Sequence, residues 1–312
     1  MKHVFIINPA AGKFDHTTVF SATARELFAG RPQDECEILV SDAPGHCTDL
    51  ARMACLPGEP VRLYACGGDG TLNEVVCGAA GFPNAAVTHY PGGSGNDFIK
   101  IFRGPSAFRD LAALVDGEET EFDLIQAGPD RLALNICSIG FDARIGTEVG
   151  YYRRLPLVTG SGAYALSVIA NTIKGLHQHY VITIDGEVID AHQTLICIAN
   201  GRWYGGGFNP VPEAEPDDGL LDVLLVRAVS RLTVAKVIGQ YKKGLHSAMP
   251  HLISHRRCRT ITVRCDSPSP INVDGELLVE RELTFSVAPE KIRFFYPKDL
   301  VWSSRTPALA SN

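Results

Sequence analysis

Short apolar runs and amphipathic stretches alternate over the first third of the chain. Val4 to Ile7 is apolar throughout and predicts a buried strand, and Val19, Phe20, Ala24, Leu27 and Phe28 recur at helical spacing over Thr17 to Phe28. The same alternation gives a strand at Glu37 to Val40, a helix at Thr48 to Met53, and a strand over Val61, Leu63, Tyr64 and Ala65. A helix on Leu72, Val75 and Val76, a strand at Ala86 to Tyr90 and a helix at Phe108 to Val115 complete the series. This spacing implies an open parallel α/β sheet, whose ligand loops follow the carboxyl ends of the strands.

From Glu121 the pattern changes to short β runs at Phe122 to Gln126, Leu132 to Ser138, Tyr180 to Ile184, Thr194 to Asn200, Leu220 to Arg227, Thr260 to Cys265 and Leu283 to Ala288. Many short strands with turn residues between them suggest a β-sandwich or barrel, interrupted by helices near Ala163 to Leu176 and Thr233 to Leu245. The tail Ile292 to Trp302 is apolar without a clear period and is expected to pack back on the first domain, with Pro307 to Asn312 frayed. The expected division is therefore an α/β domain over 1–120, a β-sandwich over 121–290 and a returning segment over 291–312.

At 312 residues, 45% hydrophobic and 21% charged with net charge -6, the chain has the composition of a globular protein and no basic excess for nucleic acid. The four apolar residues after Met1-Lys2-His3 are too few for a signal-peptide core. The nine cysteines are scattered without a C-x-x-C pair and read as small buried residues of a reducing compartment. A cytoplasmic protein, peripheral to the inner face of the membrane at most, is expected. His177 with His179, and His251 with His255 at one-turn spacing, lack the cysteine or carboxylate partners of a zinc site.

Three glycine-containing loops follow three of the strands: Asn8-Pro9-Ala10-Ala11-Gly12-Lys13, then Gly67-Gly68-Asp69-Gly70-Thr71, then Pro91-Gly92-Gly93-Ser94-Gly95-Asn96-Asp97. A strand, a glycine turn and a helix N-terminus aim backbone N–H groups at one point, which suits phosphate. Asp69 inside such a turn is unfavourable beside phosphate unless a Mg²⁺ or a substrate proton intervenes; its plain alternative role is to cap the helix. The first loop lacks the leading glycine of a Walker A motif, and its plain reading is an ordinary strand-to-helix turn, with Lys13 near phosphate in the functional one.

These loops, together with Asp217-Asp218-Gly219-Leu220-Leu221-Asp222 and Asn272-Val273-Asp274-Gly275-Glu276, resemble the diacylglycerol kinase catalytic-domain family of bacterial soluble lipid kinases and their sphingosine and ceramide kinase relatives. The resemblance spans nearly the whole chain and implies an α/β nucleotide-binding domain followed by a β-sandwich, with ATP and Mg²⁺ as cofactors. It implies that ATP phosphates lie on Asn8, Pro9, Ala10, Ala11 and Gly12 and on Gly67, Gly68, Asp69, Gly70, Thr71, Leu72 and Asn73. It places Ser41 and Ser94 at two further ATP contacts, where members often have threonine and serine keeps the hydroxyl. It further implies a structural Mg²⁺ held by the Asp218 carboxylate and the carbonyls of Glu215 and Leu220, and Asp69, Asp97 and Asp123 around a catalytic Mg²⁺ and its waters. Asp274 and Glu276 then contain the base that takes the proton of an acceptor hydroxyl, either of the two being eligible. Both acidic stretches also read as Asp-Gly hairpin turns.

The expected activity is transfer of the γ-phosphoryl group of ATP to a lipid hydroxyl at the membrane surface, with diacylglycerol as the first acceptor. The alternatives are a soluble acceptor, as in the related NAD kinases, or a nucleotide-binding regulator without turnover. Tyr151 to Val158 combines aromatic, basic and apolar residues suited to a membrane surface or to an ordinary interface, and a homodimer is left open.

Overall fold

The computed structural model describes residues 1–12, 15–140 and 177–302; Lys13, the 151–158 segment, the helix expected over 163–176 and the 307–312 tail lie outside the described residues. The chain forms two compact units, one of Met1–Leu124, Glu215–Asp218 and the chain from Ala288 on, the other of Ile125–Ala214 and Gly219–Val287.

In the first unit, β1 (Lys2–Ile7), α1 (Thr17–Ala29), β2 (Glu35–Val40), α2 (His46–Cys55), β3 (Val61–Gly67), α3 (Asp69–Ala79) and β4 (Ala85–Pro91) alternate as the hydrophobic pattern predicts. The strands are parallel in the order β2-β1-β3-β4. Val4 to Ile7 and every residue of β4 are buried, as befits parallel strands covered on both faces. The expected helix over 108–115 begins only at α4 (Leu111–Val115), because Asp110 adopts an extended conformation and its carboxylate accepts the Ala113 N–H at 3.1 Å. That side chain competes with the backbone and resets the helix start.

The core of this unit is closed by the far end of the chain. Phe294, near the end of β13 (Glu276–Tyr296), pairs in parallel with Val87 of β4. Its ring lies 5.4 Å from Phe98, 6.1 Å from Phe102 and 5.6 Å from Phe122, while Phe295 stands edge-on to Tyr64 at 5.0 Å. All six rings are buried, and tilted or offset aromatic packing of this kind adds to plain burial.

The second unit contains β6 (Arg131–Ala133), β7 (Ile136–Gly140), β8 (Gln178–Ile184), β9 (Glu187–Ala199), β10 (Leu221–Arg227), α5 (Arg231–Lys242), β11 (Ile253–Cys258) and β12 (Thr260–Val273), with the end of β5 (Glu118–Ala127) and the start of β13. Its pairings are antiparallel. β11, β10 and β9 lie side by side, and β7 and β8 both sit between β9 and β12, one against each end of those long strands. Side chains alternate between two cores. Ile196, Ile198, Val223 and Leu225 face one with Tyr180 and Phe285; Leu195, Cys197 and Leu224 face the other with Tyr241 of α5 and Met249.

Several strands depart from the sequence expectation, β9 by starting at Glu187 rather than Thr194. β12 and β13 run far beyond the apolar runs at 260–265 and 283–288: they pair on both sides of the polar stretch Glu280 to Glu282, where the register shifts between Arg264, opposite Glu282, and Ser269, opposite Glu280. β11, not expected from the sequence, carries Ser254, His255, Arg256 and Arg257 and, among the described residues, pairs with β10 alone; charge on an edge strand guards it against pairing with another chain and hides it from a hydrophobic pattern. All nine cysteines are thiols and seven are buried, in keeping with small apolar packing.

Candidate active site

In the first unit the three glycine loops pack against one another. Asn8, just past β1, donates its N–H to the Cys66 carbonyl at 3.1 Å and its Nδ2 to Thr71 Oγ1 at 3.0 Å, while its Oδ1 accepts the Ala10 N–H at 3.0 Å. The Gly67 carbonyl accepts the N–H groups of Gly92 at 2.7 Å and Gly93 at 3.1 Å, and His89 Nε2 lies 2.9 Å from it. Burial pushes the His89 imidazole down to about 4, so the ring is neutral and donates from Nε2. A methyl on Gly12 would stand 2.6 Å from the Gly92 carbonyl oxygen, and one on Gly93 2.5 Å from Gly68 Cα, so the loops touch backbone to backbone. Leu72 and Asn73 are buried and support the second loop from within, whereas Gly70 and Ser94 are exposed. Ser41 is buried at the end of β2, its N–H bonded to the Ile7 carbonyl at 2.9 Å.

Asp69 is the first residue of α3, whose N-cap Gly68 offers no side-chain acceptor. Its carboxylate is engaged by its own backbone N–H at the first position of the helix and is not confined to that role. It reaches the third loop and accepts the backbone N–H of Asp97. Burial pulls the Asp69 carboxyl above its ordinary value, against the opposing effect of the Asp97 and Asn96 amides and the Lys100 charge. A methyl on Gly95 would collide with Asp69 Oδ2 and stand 3.4 Å from Asp97 Oδ2, so both carboxylates face the space beside Gly95. Gly95→Ala is accordingly expected to abolish turnover through displacement of Asp69; a variant with wild-type kcat would show that the carboxylate needs no such room.

Asp97 is paired with Lys100, and Asp123, 1% exposed, with Lys291 Nζ at 2.8 Å. Sequence reading missed both lysines. Lys100 stands at i+3 from Asp97, a readable spacing, whereas Lys291 arrives from the end of the chain. The Asp123 N–H donates to Pro216 O at 2.6 Å, which brings the Glu215–Asp218 turn beside it, and the Asp218 N–H lies 3.4 Å from Glu215 O. Burial, then the charges of Glu215, Asp218 and Asp123, push the Asp217 carboxyl up. Such an accumulation of carboxylates fits a hard, oxygen-seeking cation such as Mg²⁺. Leu220, the third expected ligand, belongs to the second unit.

In the second unit Asp274 and Gly275 form the two-residue turn between β12 and β13, with φ of 46° and 98°. Two positive φ values in succession match the twist of a hairpin and favour Asp-Gly. The turn does more than reverse the chain. Asp274 Oδ2 accepts the N–H groups of Leu134 at 2.7 Å and Asn135 at 2.8 Å, and Oδ1 that of Ile136 at 2.7 Å. Those amides are drawn to the carboxylate, so the strand expected over 132–138 splits into β6 and β7. Glu276 is more than half exposed and pairs with Arg131 Nη1 at 3.0 Å.

The sequence was compared with known proteins. Residues 2–127 match the Diacylglycerol kinase catalytic domain, and residues 135–296 match the YegS C-terminal NAD kinase beta sandwich-like domain. A Pseudomonas aeruginosa protein named "Probable lipid kinase YegS-like" is 30% identical over 287 residues, 89% of each chain, and one of the same name from Shewanella frigidimarina is 27% identical over 76% of each. Among solved structures, a diacylglycerol kinase from Bacillus anthracis shares the fold with a TM-score of 0.69 at 21% identity, covering 96% of this chain and 98% of that one. An NAD kinase from Archaeoglobus fulgidus in complex with ATP gives a TM-score of 0.50 at 14% identity, covering 96% and 94%. With both halves matched in order, the chain belongs to the family of YegS-like lipid kinases, in which a diacylglycerol kinase catalytic domain is followed by a YegS C-terminal domain.

Proposed function

We propose that the protein is a Mg²⁺-dependent kinase that transfers the γ-phosphoryl group of ATP to a hydroxyl of a lipid at a membrane surface, with diacylglycerol as the acceptor and phosphatidic acid as the product. The observation that carries this reading is the contact of three glycine loops, beside which Asp69 and Asp97 turn their carboxylates to one space. Glycine backbone at that density lets a polyphosphate approach closely, and the N-terminus of α3 favours its charge. Asp69 and Asp97 would hold a catalytic Mg²⁺ through its waters, with Asp123 in the same unit, and Asp218 and the Glu215 carbonyl would hold a structural one. What the metal supplies when bound is neutralisation of charge on the β- and γ-phosphate oxygens.

Phosphoryl transfer to an alcohol forms the bond between the hydroxyl oxygen and Pγ, breaks the bond to the ADP oxygen and releases the hydroxyl proton. The chain's part is to receive that proton. Both oxygens of Asp274 are already engaged by the amides of Leu134, Asn135 and Ile136, which fix the carboxylate to that segment. Glu276, next but one along the chain and held by one arginine, retains acceptor capacity. Glu276 is therefore the base in this reading, and Asp274 is the clamp that positions it.

The test is transfer of labelled phosphate from ATP to diacylglycerol, monoacylglycerol, ceramide, sphingosine and phosphatidylglycerol in mixed micelles, and to NAD, with Glu276→Gln alongside. Label on diacylglycerol that vanishes in the variant is expected. Label on NAD alone overturns the lipid assignment, and label on no acceptor while ATP still binds favours a regulator. No described helix is long and apolar enough to cross a membrane, so the reading calls for contact with the lipid surface from outside; the protein should sediment with anionic vesicles.

A further inference from the structure

In the second unit two histidines and a glutamate converge, none of them among the residues assigned to phosphoryl transfer. His246 lies in the short turn after α5, His255 on the edge strand β11, and Glu213 in the loop before the Glu215–Asp218 turn. Sequence spacing suggests His255 with His251; instead, His246 and Glu213 stand beside it. Glu213 Oε1 lies 2.8 Å from His246 Nε2 and 3.4 Å from His255 Nδ1, and the three prospective ligand atoms all lie within 4.8 Å of one another.

The outer nitrogen of each ring is already engaged. His246 Nδ1 lies 3.1 Å from the Pro210 carbonyl oxygen, and His255 Nε2 2.6 Å from Asp222 Oδ1. A carbonyl and a carboxylate only accept, so both outer nitrogens carry protons. In neutral rings the inner nitrogens then present lone pairs, and both are aimed at the same carboxylate oxygen. Three electron-rich atoms facing one another require a positive charge among them. Either each ring takes a second proton or one cation serves all three.

We propose that Glu213, His246 and His255 form a site for one divalent transition-metal ion of the Zn²⁺ class. Two imidazoles and one carboxylate form a recognised zinc ligand set, and an outer acceptor that fixes each ring is the usual support for such ligands. Metal–ligand distances of about 2.1 Å in a tetrahedral site separate ligand atoms by about 3.4 Å. The Glu213–His255 separation already has that value, and Glu213 and His246 need to part by roughly half an ångström. Asp222 is 2% exposed and sits opposite Arg257 in the sheet, with Arg257 Nε at 3.6 Å, so it is held in place to orient His255. His246 is buried, whereas Glu213 and His255 reach solvent, which leaves the fourth position to water. The bound ion would tie three separate segments of the second unit together.

The experiment is calorimetric titration of the chelator-treated full-length protein with Zn²⁺ in millimolar Mg²⁺, followed by Co²⁺ absorption spectroscopy. One Zn²⁺ per chain is expected, with affinity reduced at least about tenfold in Glu213→Gln and His255→Gln, and with visible Co²⁺ bands in the wild type that are lost in His255→Gln. Glu213 is half-exposed, so its amide isostere leaves a folded protein for comparison. Absence of stoichiometric Zn²⁺ binding by the wild type, or binding undiminished in both variants, overturns the site and leaves a protonated ion-pair cluster.

Discussion

Asp274→Ala is expected to lose activity together with the stability of the second unit, whereas Glu276→Gln loses activity and keeps the fold. Removing the Asp274 carboxylate deprives the Leu134, Asn135 and Ile136 amides of their acceptor at one stroke. Hydrogen bonds to a charged group contribute about 1.5–3 kcal/mol each, and they are not additive, so a loss of roughly 3–5 kcal/mol is expected. That is a large share of the stability of an ordinary domain, which is about 5–15 kcal/mol. Alanine is also poorly suited to a φ of 46°, which asparagine tolerates, so Asp274→Asn should fall between the two. Glu276 is exposed and its ion pair with Arg131 contributes at most about 1 kcal/mol. Urea unfolding and turnover measured on the same preparations separate the roles. An unchanged unfolding midpoint in Asp274→Ala would refute the clamp, and substantial turnover in Glu276→Gln would refute the base.

Asp69→Asn is expected to lower turnover by at least about 10²-fold, the scale of losing one preorganised electrostatic group, while leaving stability equal to or above that of the wild type. The carboxyl is raised above its ordinary value of 3.8 because burial penalises its charge. A group whose folded value is raised contributes stability that is complete below the unfolded value and is lost as pH rises through the folded one. At neutral pH the ionised Asp69 therefore costs stability that a neutral amide does not, and asparagine can still accept the Asp97 N–H. The stability difference between variant and wild type should grow with pH from about 4 upward and level off once Asp69 is fully ionised. A variant that is less stable than wild type at neutral pH would mean that the amide contacts outweigh burial.

What the chain discloses by itself depends on how far apart the cooperating residues lie. The parallel α/β pattern and the glycine loops are local, and their meaning survives reading in one dimension. The hairpin at Asp274 is local too, and its Asp-Gly signal is correct. Its second role is not legible, because the amides it binds are 138 to 140 residues away and backbone amides carry no mark in a sequence. Lys291 is hidden from Asp123 for the same reason. β11 escapes notice because an edge strand has no need of alternating apolar residues. The His246–His255–Glu213 cluster is assembled from three segments, and the spacing the sequence does offer, His251 with His255, pairs His255 with the wrong residue.

The closing of the first unit by Phe294 and Phe295 bears on how the protein is made. Synthesis delivers residues 1–124 first, yet the rings that complete their core are encoded at the other end of the message. At roughly 5–20 residues per second, the 172 residues from 124 to 296 take about 10–30 s to translate, long compared with the collapse of a nascent chain. Throughout that interval Phe98, Phe102 and Phe122 lack Phe294 and β4 is paired with β3 on one side alone. The catalytic-domain half is thus the earlier of the two to emerge from the ribosome and among the last to be finished, and it invites chaperone attention for as long as its final strand is missing.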